Sequence, residues 1–519
     1  MTYNEALDFL NSASTPGSVY GLERINMLLE HLSRPQDKLR FIHIAGTNGK
    51  GSVSRMLACV LTAAGYKVGC FNSPCLVSPC EYLSVSNPVT QKRPNKNTSP
   101  DSSAQSSADT ISTDLNPISA SPEEFANEVA RVMEATLDML GSIFLDADPY
   151  KNKLFSNDTS KSPIASRDIA VTLRPTAFEY YTAMAIDYFA RKECDFAIME
   201  CGLGGKDDST NIIPSPEVAV ITRIGLDHTE MLGPDIVSIA EAKSGIIKKG
   251  CSVVAYPSDD EALKVIEKKA ERLGCPLSIA DPGKLKIVRE GVWEGDTISY
   301  DDSEEYRLSL PGDHQAMNAA VVLEIIKALK LRIKDFNAAV KTGLGAGDVD
   351  AAVKTKFGDG DVDAAVKAGL GAAKWPARLT LISKDPPVLL DGAHNPQCMD
   401  ALCKYLKKIT ESFPKGSNEK RDFIVVTGVM ADKDYADMFG QLAPFAGKVY
   451  AVRPDNPRSL DPAVIAEIFE GMGVTAVTSD SVSSALECAK EEIKKDGRYI
   501  GIIVTGSLYM MKPLLEPTR

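Results

Sequence analysis

The chain has 519 residues, 44% hydrophobic and 25% charged, with 70 acidic against 58 basic side chains and a net charge of −12. That length exceeds one ordinary core and calls for roughly two to three domains, while the composition excludes disordered, collagen-like, coiled-coil and disulfide-scaffold classes. The acidic balance argues against nucleic-acid or anionic-membrane binding, because a phosphate surface would repel it. The first five residues begin no basic stretch leading into an apolar one, and no run nears the roughly 18–20 apolar residues of a bilayer span, so the expected location is the cytoplasm. Eleven scattered cysteines without a CxxC pair read as reduced thiols. The five histidines are not spaced as zinc ligands, so any metal is expected to be Mg²⁺ on oxygen ligands and at most one imidazole.

In chain order, Leu22, Ile25, Leu28, Leu29 and Leu32 recur at helical spacing before Pro35, which predicts an amphipathic helix over 21–33. Phe41–Ala45 is a short apolar strand leading into a Gly-rich turn, a helical stretch closed by Gly65, and a second strand over Lys67–Phe71, a βαβ unit. Further strands are expected over Asp195–Glu200, Val218–Arg223 and Ser252–Tyr256. Apolar runs separated by helical sequence imply a mostly parallel, doubly wound sheet covered on both faces. Segments 91–118 and 146–168 are polar and read as surface insertions. Asp348–Lys354 is repeated as Asp361–Lys367, with a third Ala-Ala-Val-Lys at 338–341. Three short copies cannot build a repeat core, so the duplication is expected to lengthen an interdomain connection. Strands over Val388–Leu390, Phe423–Thr427, Val449–Val452 and Ile500–Val504, with helices over 433–444 and 481–495, predict a second α/β domain. The expected organisation is a P-loop ATPase domain over 1–325, a linker over 326–374 and a smaller Rossmann-like domain over 375–519.

Gly46-Thr47-Asn48-Gly49-Lys50-Gly51-Ser52 lies between a predicted strand and a predicted helix. Backbone amides and the helix N-terminus there can cradle phosphates, and the Lys50 ammonium can neutralise them. The generic P-loop pattern is not met to the letter, since position 44 is Ile and Gly51 stands between Lys50 and Ser52.

The form GTNGKGS resembles the ATP-dependent amide ligases of the Mur ligase superfamily, and its GKGS ending points to the folylpolyglutamate synthase and dihydrofolate synthase branch. Further blocks similar to that branch follow in order: Ser73–Val77, Glu200–Asn211, Ile224–Gly233, Glu241–Lys248, Gly312–Gln315 with Asn318, Trp375–Leu379, Asp391–Pro396 and Val504–Tyr509. The resemblance implies that Ser73, Glu200 and His228 hold Mg²⁺. It implies that Lys243 is carbamylated and serves a second Mg²⁺, which requires a lysine with a lowered pKa. It places Asn318, Arg378 and Asp391 on ATP, with Arg378 forking onto phosphate oxygens and Asp391 accepting from ribose hydroxyls. His394 and Ser507 would lie near the incoming glutamate, and Phe178, Glu179, Asp207, Asp208 and Ser209 on the pterin side. Lys50, His228 and Lys243 would be the catalytic set.

The chain departs from the branch at Cys75 and Cys80, where the family has His and Arg, at Lys206 and Asp207, where it has Arg and Leu, and at Ala377, where WPGRLE has Gly. A thiol cannot replace the bidentate carboxylate contact of an arginine. The function the resemblance implies is addition of L-glutamate to folate, to dihydropteroate or to both, with ATP and Mg²⁺, by a monomer. The alternative is a nucleotide-binding relic of the same family without ligase activity.

Overall fold

A computed structural model describes residues 1–13, 21–88, 114–147, 173–289, 293, 295–333, 362–412 and 422–515. Most of the two predicted insertions, 91–113 and 148–168, and the first copies of the duplication lie outside the described residues.

The first domain is built on an eight-stranded sheet. Its strands run in the spatial order Ile118–Ser119, Ser84–Ser86, Val68–Phe71, Phe196–Glu200, Arg40–Ala45, Val218–Ile221, Ser252–Ala255 and Leu277–Ile279. The last six are parallel and the first two add an antiparallel edge. Strand Phe196–Glu200 is buried at every position, which explains its continuous apolar sequence: a parallel strand covered on both faces has no solvent side to mark with polar residues. Helix Lys50–Ala63 covers one face together with helix Asp313–Arg332, and helices Pro122–Ala147 and Ala177–Arg191 cover the other. A three-stranded antiparallel sheet of Leu285–Arg289, Asp296–Tyr300 and Tyr306–Arg307 packs beside it.

The second domain is a six-stranded sheet ordered Thr380–Lys384, Pro387–Leu390, Tyr499–Thr505, Asp422–Thr427, Ala446–Ala451 and Thr475–Thr478. It is parallel except for its first strand, and helices such as Pro396–Ser412 and Val482–Lys495 pack on its two faces. The four strands predicted for this domain and both of its predicted helices are present within a few residues of their expected bounds.

The region between 325 and 375 differs from a free linker at both ends. Helix Asp313–Arg332 continues past 325, and the last copy of the duplication lies within a helix, Val362–Ala372. Val362, Ala365, Val366 and Leu370 are buried in the core of the first domain. Gly369 lies so close to helix Lys50–Ala63 that a Cβ there would stand 2.4 Å from the Val60 Cα. The spacing of those apolar residues is that of one helical face, so this copy is part of the first domain. Among the described residues no helix is long and apolar enough to cross a membrane.

Candidate active site

The turn after strand Arg40–Ala45 is tied down before any ligand arrives. Thr47 N and Asn48 N donate to Arg223 O at 2.9 and 3.1 Å, and Thr47 Oγ1 donates to Gly225 O at 3.0 Å. Gly49 then caps helix Lys50–Ala63 at φ +90, where a Cβ would meet Asn318 Oδ1 at 2.7 Å. Glycine is thus required twice at this position, by the left-handed backbone and by the close approach of Asn318. The first-turn amides of a helix have no partner within it, and here the residues that carry them, Lys50, Gly51 and Ser52, line the same cleft as the turn.

Two lysines and a carboxylate converge beneath this turn. Lys50 Nζ donates to Gly46 O at 3.0 Å and Thr47 O at 3.1 Å and stands 4.0 Å from Glu200 Oε1. Lys243, on helix Ile236–Ser244, donates to the same Gly46 O at 2.9 Å. Burial, reinforced by the neighbouring Lys50 charge, pulls the Lys243 pKa down to about 7, so a large share of its amine is free near neutrality. Glu200 ends its strand and accepts from Asn72 Nδ2 at 2.9 Å. Burial pushes its carboxyl above the usual range although Lys50 opposes the shift. Ser73 and His228 line the same cleft. His228 sits at φ +52 with its ring half-exposed, and burial lowers its pKa against the pull of Asp227.

The second domain closes the cleft from the other side. Asp391, at the end of strand Pro387–Leu390, accepts from Leu379 N and Ala393 N, both at 2.9 Å. Each of its oxygens is therefore held by a loop amide while retaining a second lone pair for a ligand. Burial raises its pKa and Arg378 opposes this. Arg378 donates to Ala377 O at 3.0 Å. His394 Nδ1 is 2.8 Å from Gly392 O, and burial lowers its pKa to about 4, so the imidazole is neutral at pH 7. This one cleft thus gathers all of Gly46–Ser52, Ser73, Glu200, His228, Lys243, Asn318, Arg378 and Asp391.

A neighbouring cavity of about 560 Å³ opens from that cleft and shares Ser73, His228 and His394 with it. Phe178, Glu179, Asp207, Asp208, Ser209, His394 and Ser507 all line it. Several of these are also committed to the fold. Asp208 caps its own turn, accepting from Leu203 N at 2.8 Å, Thr210 N at 3.0 Å and the Thr210 hydroxyl. Glu179 completes a capping box with Thr176 and pairs with Arg24 at 3.0 Å. Ser209 shares a hydrogen bond with Thr182 at 2.7 Å, and Ser507 caps the turn at Tyr509. Phe178 stacks at a tilt on Phe71, and Cys75 packs on the same aromatic cluster.

The residues that sequence reasoning passed over tie the site together, one pair across the two domains and one group within the first. Asp227 Oδ1 receives Lys433 Nζ at 2.7 Å. Burial alone would raise the Asp227 pKa, but His228 and Lys433 outweigh it and hold the carboxyl at about 2. Gln315 Nε2 donates to Ser52 Oγ at 3.2 Å and Gln315 Oε1 accepts from Asn318 Nδ2 at 3.1 Å, locking the start of helix Lys50–Ala63 to helix Asp313–Arg332. Asp227 and Gln315 stand beside His228 and His314 within blocks already singled out, which was the available signal; Lys433 had none.

Comparison with known proteins follows the same division. A model of the Mur ligase middle domain matches residues 159–326, and one of the Mur ligase glutamate ligase domain matches residues 377–508. The dihydrofolate synthase/folylpolyglutamate synthase of Bacillus subtilis is 30% identical, covering 99% of this chain and 98% of that protein. The folylpolyglutamate synthase of Lacticaseibacillus casei is 28% identical over 98% and 97%. Among solved structures, Mycobacterium tuberculosis folylpolyglutamate synthase complexed with ADP and AMPPCP superposes with a TM-score of 0.73 at 25% identity, covering 100% of this chain and 99% of that one. An FPGS–AMPPCP–folate complex gives 0.70 at 27% identity over 99% and 100%.

Proposed function

The chain belongs to the folylpolyglutamate synthase and dihydrofolate synthase family of Mur ligases, and from that premise we propose that it is an ATP-dependent amide ligase that joins L-glutamate to a folate, to dihydropteroate or to both. The observation that carries this reading is the continuity of the two cavities. A phosphate cradle with two lysines and a buried carboxylate opens, at Ser73, His228 and His394, directly into a larger aromatic-walled space.

In this reading the carboxylate of the folate or pteroate attacks the γ-phosphorus of ATP, ADP leaves, and the amine of glutamate displaces phosphate from the acyl phosphate. Lys50 stabilises charge on the transferring phosphoryl group, and the helix amides hold the phosphates in place, so positioning and electrostatics supply the catalysis. Arg378 and Asp391 bring the second domain onto the nucleotide, which makes catalysis depend on both domains. His394, neutral at pH 7 and lining both cavities, is available as an acceptor near the glutamate amine.

The donor set fits Mg²⁺. Glu200 is a buried carboxylate whose nearest cation is 4.0 Å away, and burial raises its pKa, so it gains from a further positive charge. With the Ser73 hydroxyl and the His228 imidazole it would hold one ion, and Lys243, once carbamylated, would offer oxygens to a second. Bound, the metal supplies neutralisation of phosphate charge.

The test is ADP release with ATP, Mg²⁺ and L-glutamate, comparing dihydropteroate with tetrahydrofolate and identifying the product by mass. Release with both acceptors makes the protein bifunctional, and release with one assigns the acceptor. Silence with both while ATP still binds overturns the ligase reading in favour of a nucleotide-binding relic.

A further inference from the structure

Asn48 lies in the middle of the phosphate-cradling turn, yet its side chain faces the other domain. Its Nδ2 donates to Gln397 Oε1 at 3.0 Å. Its Oδ1 accepts from Asn395 Nδ2 and from Cys398 Sγ, both at 3.0 Å. Asn395 in turn caps helix Pro396–Ser412 through Cys398 N at 2.9 Å, so Asn48 grips the first turn of that helix. Gln397 reaches in so closely that a Cβ on Gly225 would stand 2.0 Å from its Oε1, and its Nε2 donates to Ile224 O at 3.5 Å. Asn395 also reaches Asp227 Oδ2 at 3.3 Å, beside the Lys433 ion pair. One amide of the nucleotide turn thus has both of its polar atoms engaged by the domain that carries His394 and Ser507.

We propose that Asn48 is a domain-docking residue rather than a nucleotide ligand: through Asn395 and Gln397 it holds the second domain at the distance from the phosphate turn that the glutamate step needs. This rests on the ligase reading of the site. The turn's grip on phosphate comes from backbone amides and Lys50, which the Asn48 side chain does not touch. Loss of that side chain leaves nucleotide affinity intact and shifts the position of the glutamate-side residues relative to the acyl phosphate. Because Asn48 and Gln397 act through one contact, their effects are not additive.

The experiment compares wild type, Asn48→Ala, Gln397→Ala and the double variant in three measurements. Binding of a non-hydrolysable ATP analogue stays within about two-fold of wild type. The KM for L-glutamate rises about ten-fold in each single variant, the scale of one or two lost hydrogen bonds, and the double variant is no worse than either single one. Alkylation of Cys398, followed by peptide mass spectrometry, speeds up several-fold in both single variants, because Cys398 is half-buried in the contact that they open. The proposal is overturned if Asn48→Ala loses analogue binding, which would return the residue to the nucleotide, or if the two substitutions act additively. The labelling arm needs no turnover. An inactive wild type whose Cys398 is still exposed by Gln397→Ala would therefore contradict the ligase reading and leave the docking contact standing, whereas unchanged labelling in an active enzyme would contradict the contact alone. Should Asn48→Ala fail to fold, Gln397→Ala and Gln397→Glu, on the opposite domain, carry the same measurements.

Discussion

The two sheets handle their buried polar groups in opposite ways. At the carboxyl ends of the first sheet, Lys50, Glu200 and Lys243 are crowded together with their charges poorly compensated: two ammonium groups share one carbonyl, and the carboxylate is 4.0 Å from its nearest cation. At the corresponding edge of the second sheet, Asp391, His394 and Ser507 are each hydrogen-bonded to their own loops. The first edge leaves its charged groups poorly compensated, while the second satisfies its polar groups within its own loops. Polar residues of the first edge should therefore cost the folded protein stability, and those of the second should supply it.

That contrast can be broken by substitution. The largest effect is expected for Lys50→Met, which on the proposed ligase reading removes the positive charge that stabilises the transferring phosphoryl group and should lower kcat by about a thousand-fold without lowering the unfolding midpoint; a midpoint that fell sharply would contradict the contrast. Lys243→Met should also lower turnover, by less than Lys50→Met, and it should raise stability by a few kcal/mol at neutral pH. The sign follows from the depressed pKa. Between about 7 and the ordinary 10.5, the unfolded chain binds more protons at Lys243 than the folded one, so wild-type stability rises with pH across that window. The gain from Lys243→Met is then greatest at or below pH 7 and fades towards 10.5, which chemical denaturation in carbon-dioxide-free buffers at several pH values would measure.

On the second edge the direction reverses. Asp391→Asn leaves one loop amide facing an NH₂ group but also removes a charge that burial disfavours, so stability should fall by no more than about 2 kcal/mol while ATP affinity falls with it. If affinity fell alone, Asp391 would belong with the poorly compensated set. The smallest effect sharpens the same comparison. Ala377 is held at φ +58 within the loop that carries Arg378, a conformation in which a Cβ is unfavourable. Ala377→Gly should add about 1 kcal/mol of stability, reduced somewhat by the greater freedom of glycine in the unfolded chain, with kcat unchanged. The glycine of the family's WPGRLE form has its physical reason in this backbone angle.

Sequence reached the parallel strands and the cleft because both are written locally. Buried strands are continuous apolar runs, and the Gly-rich turn and the cleft residues Ser73, Glu200 and His228 sit in compact blocks at strand ends. What it missed depends on partners distant in the chain. Leu285–Arg289 alternates poorly and leaves Ile287 and Val288 exposed, so only its pairing with Asp296–Tyr300 identifies it as a strand. Lys433 carries no local mark; its partner is Asp227, 206 positions away. Asp208 illustrates the converse. Its residue type suits a ligand contact, but three donors from its own turn engage the carboxylate. Helix Val362–Ala372 had the spacing of a helical face all along, hidden by a repeat that drew attention to the copying instead.

That helix also has a near-copy elsewhere in the chain. Residues 364–372 read Ala-Ala-Val-Lys-Ala-Gly-Leu-Gly-Ala, and residues 338–346 read Ala-Ala-Val-Lys-Thr-Gly-Leu-Gly-Ala, differing at a single position. The seat beside Val60 admits only a glycine at the place of Gly369, and both segments supply one, whereas the copy beginning at Asp348 has Lys356 there. The two segments thus share, at that place, the one residue type that the contact with Val60 allows.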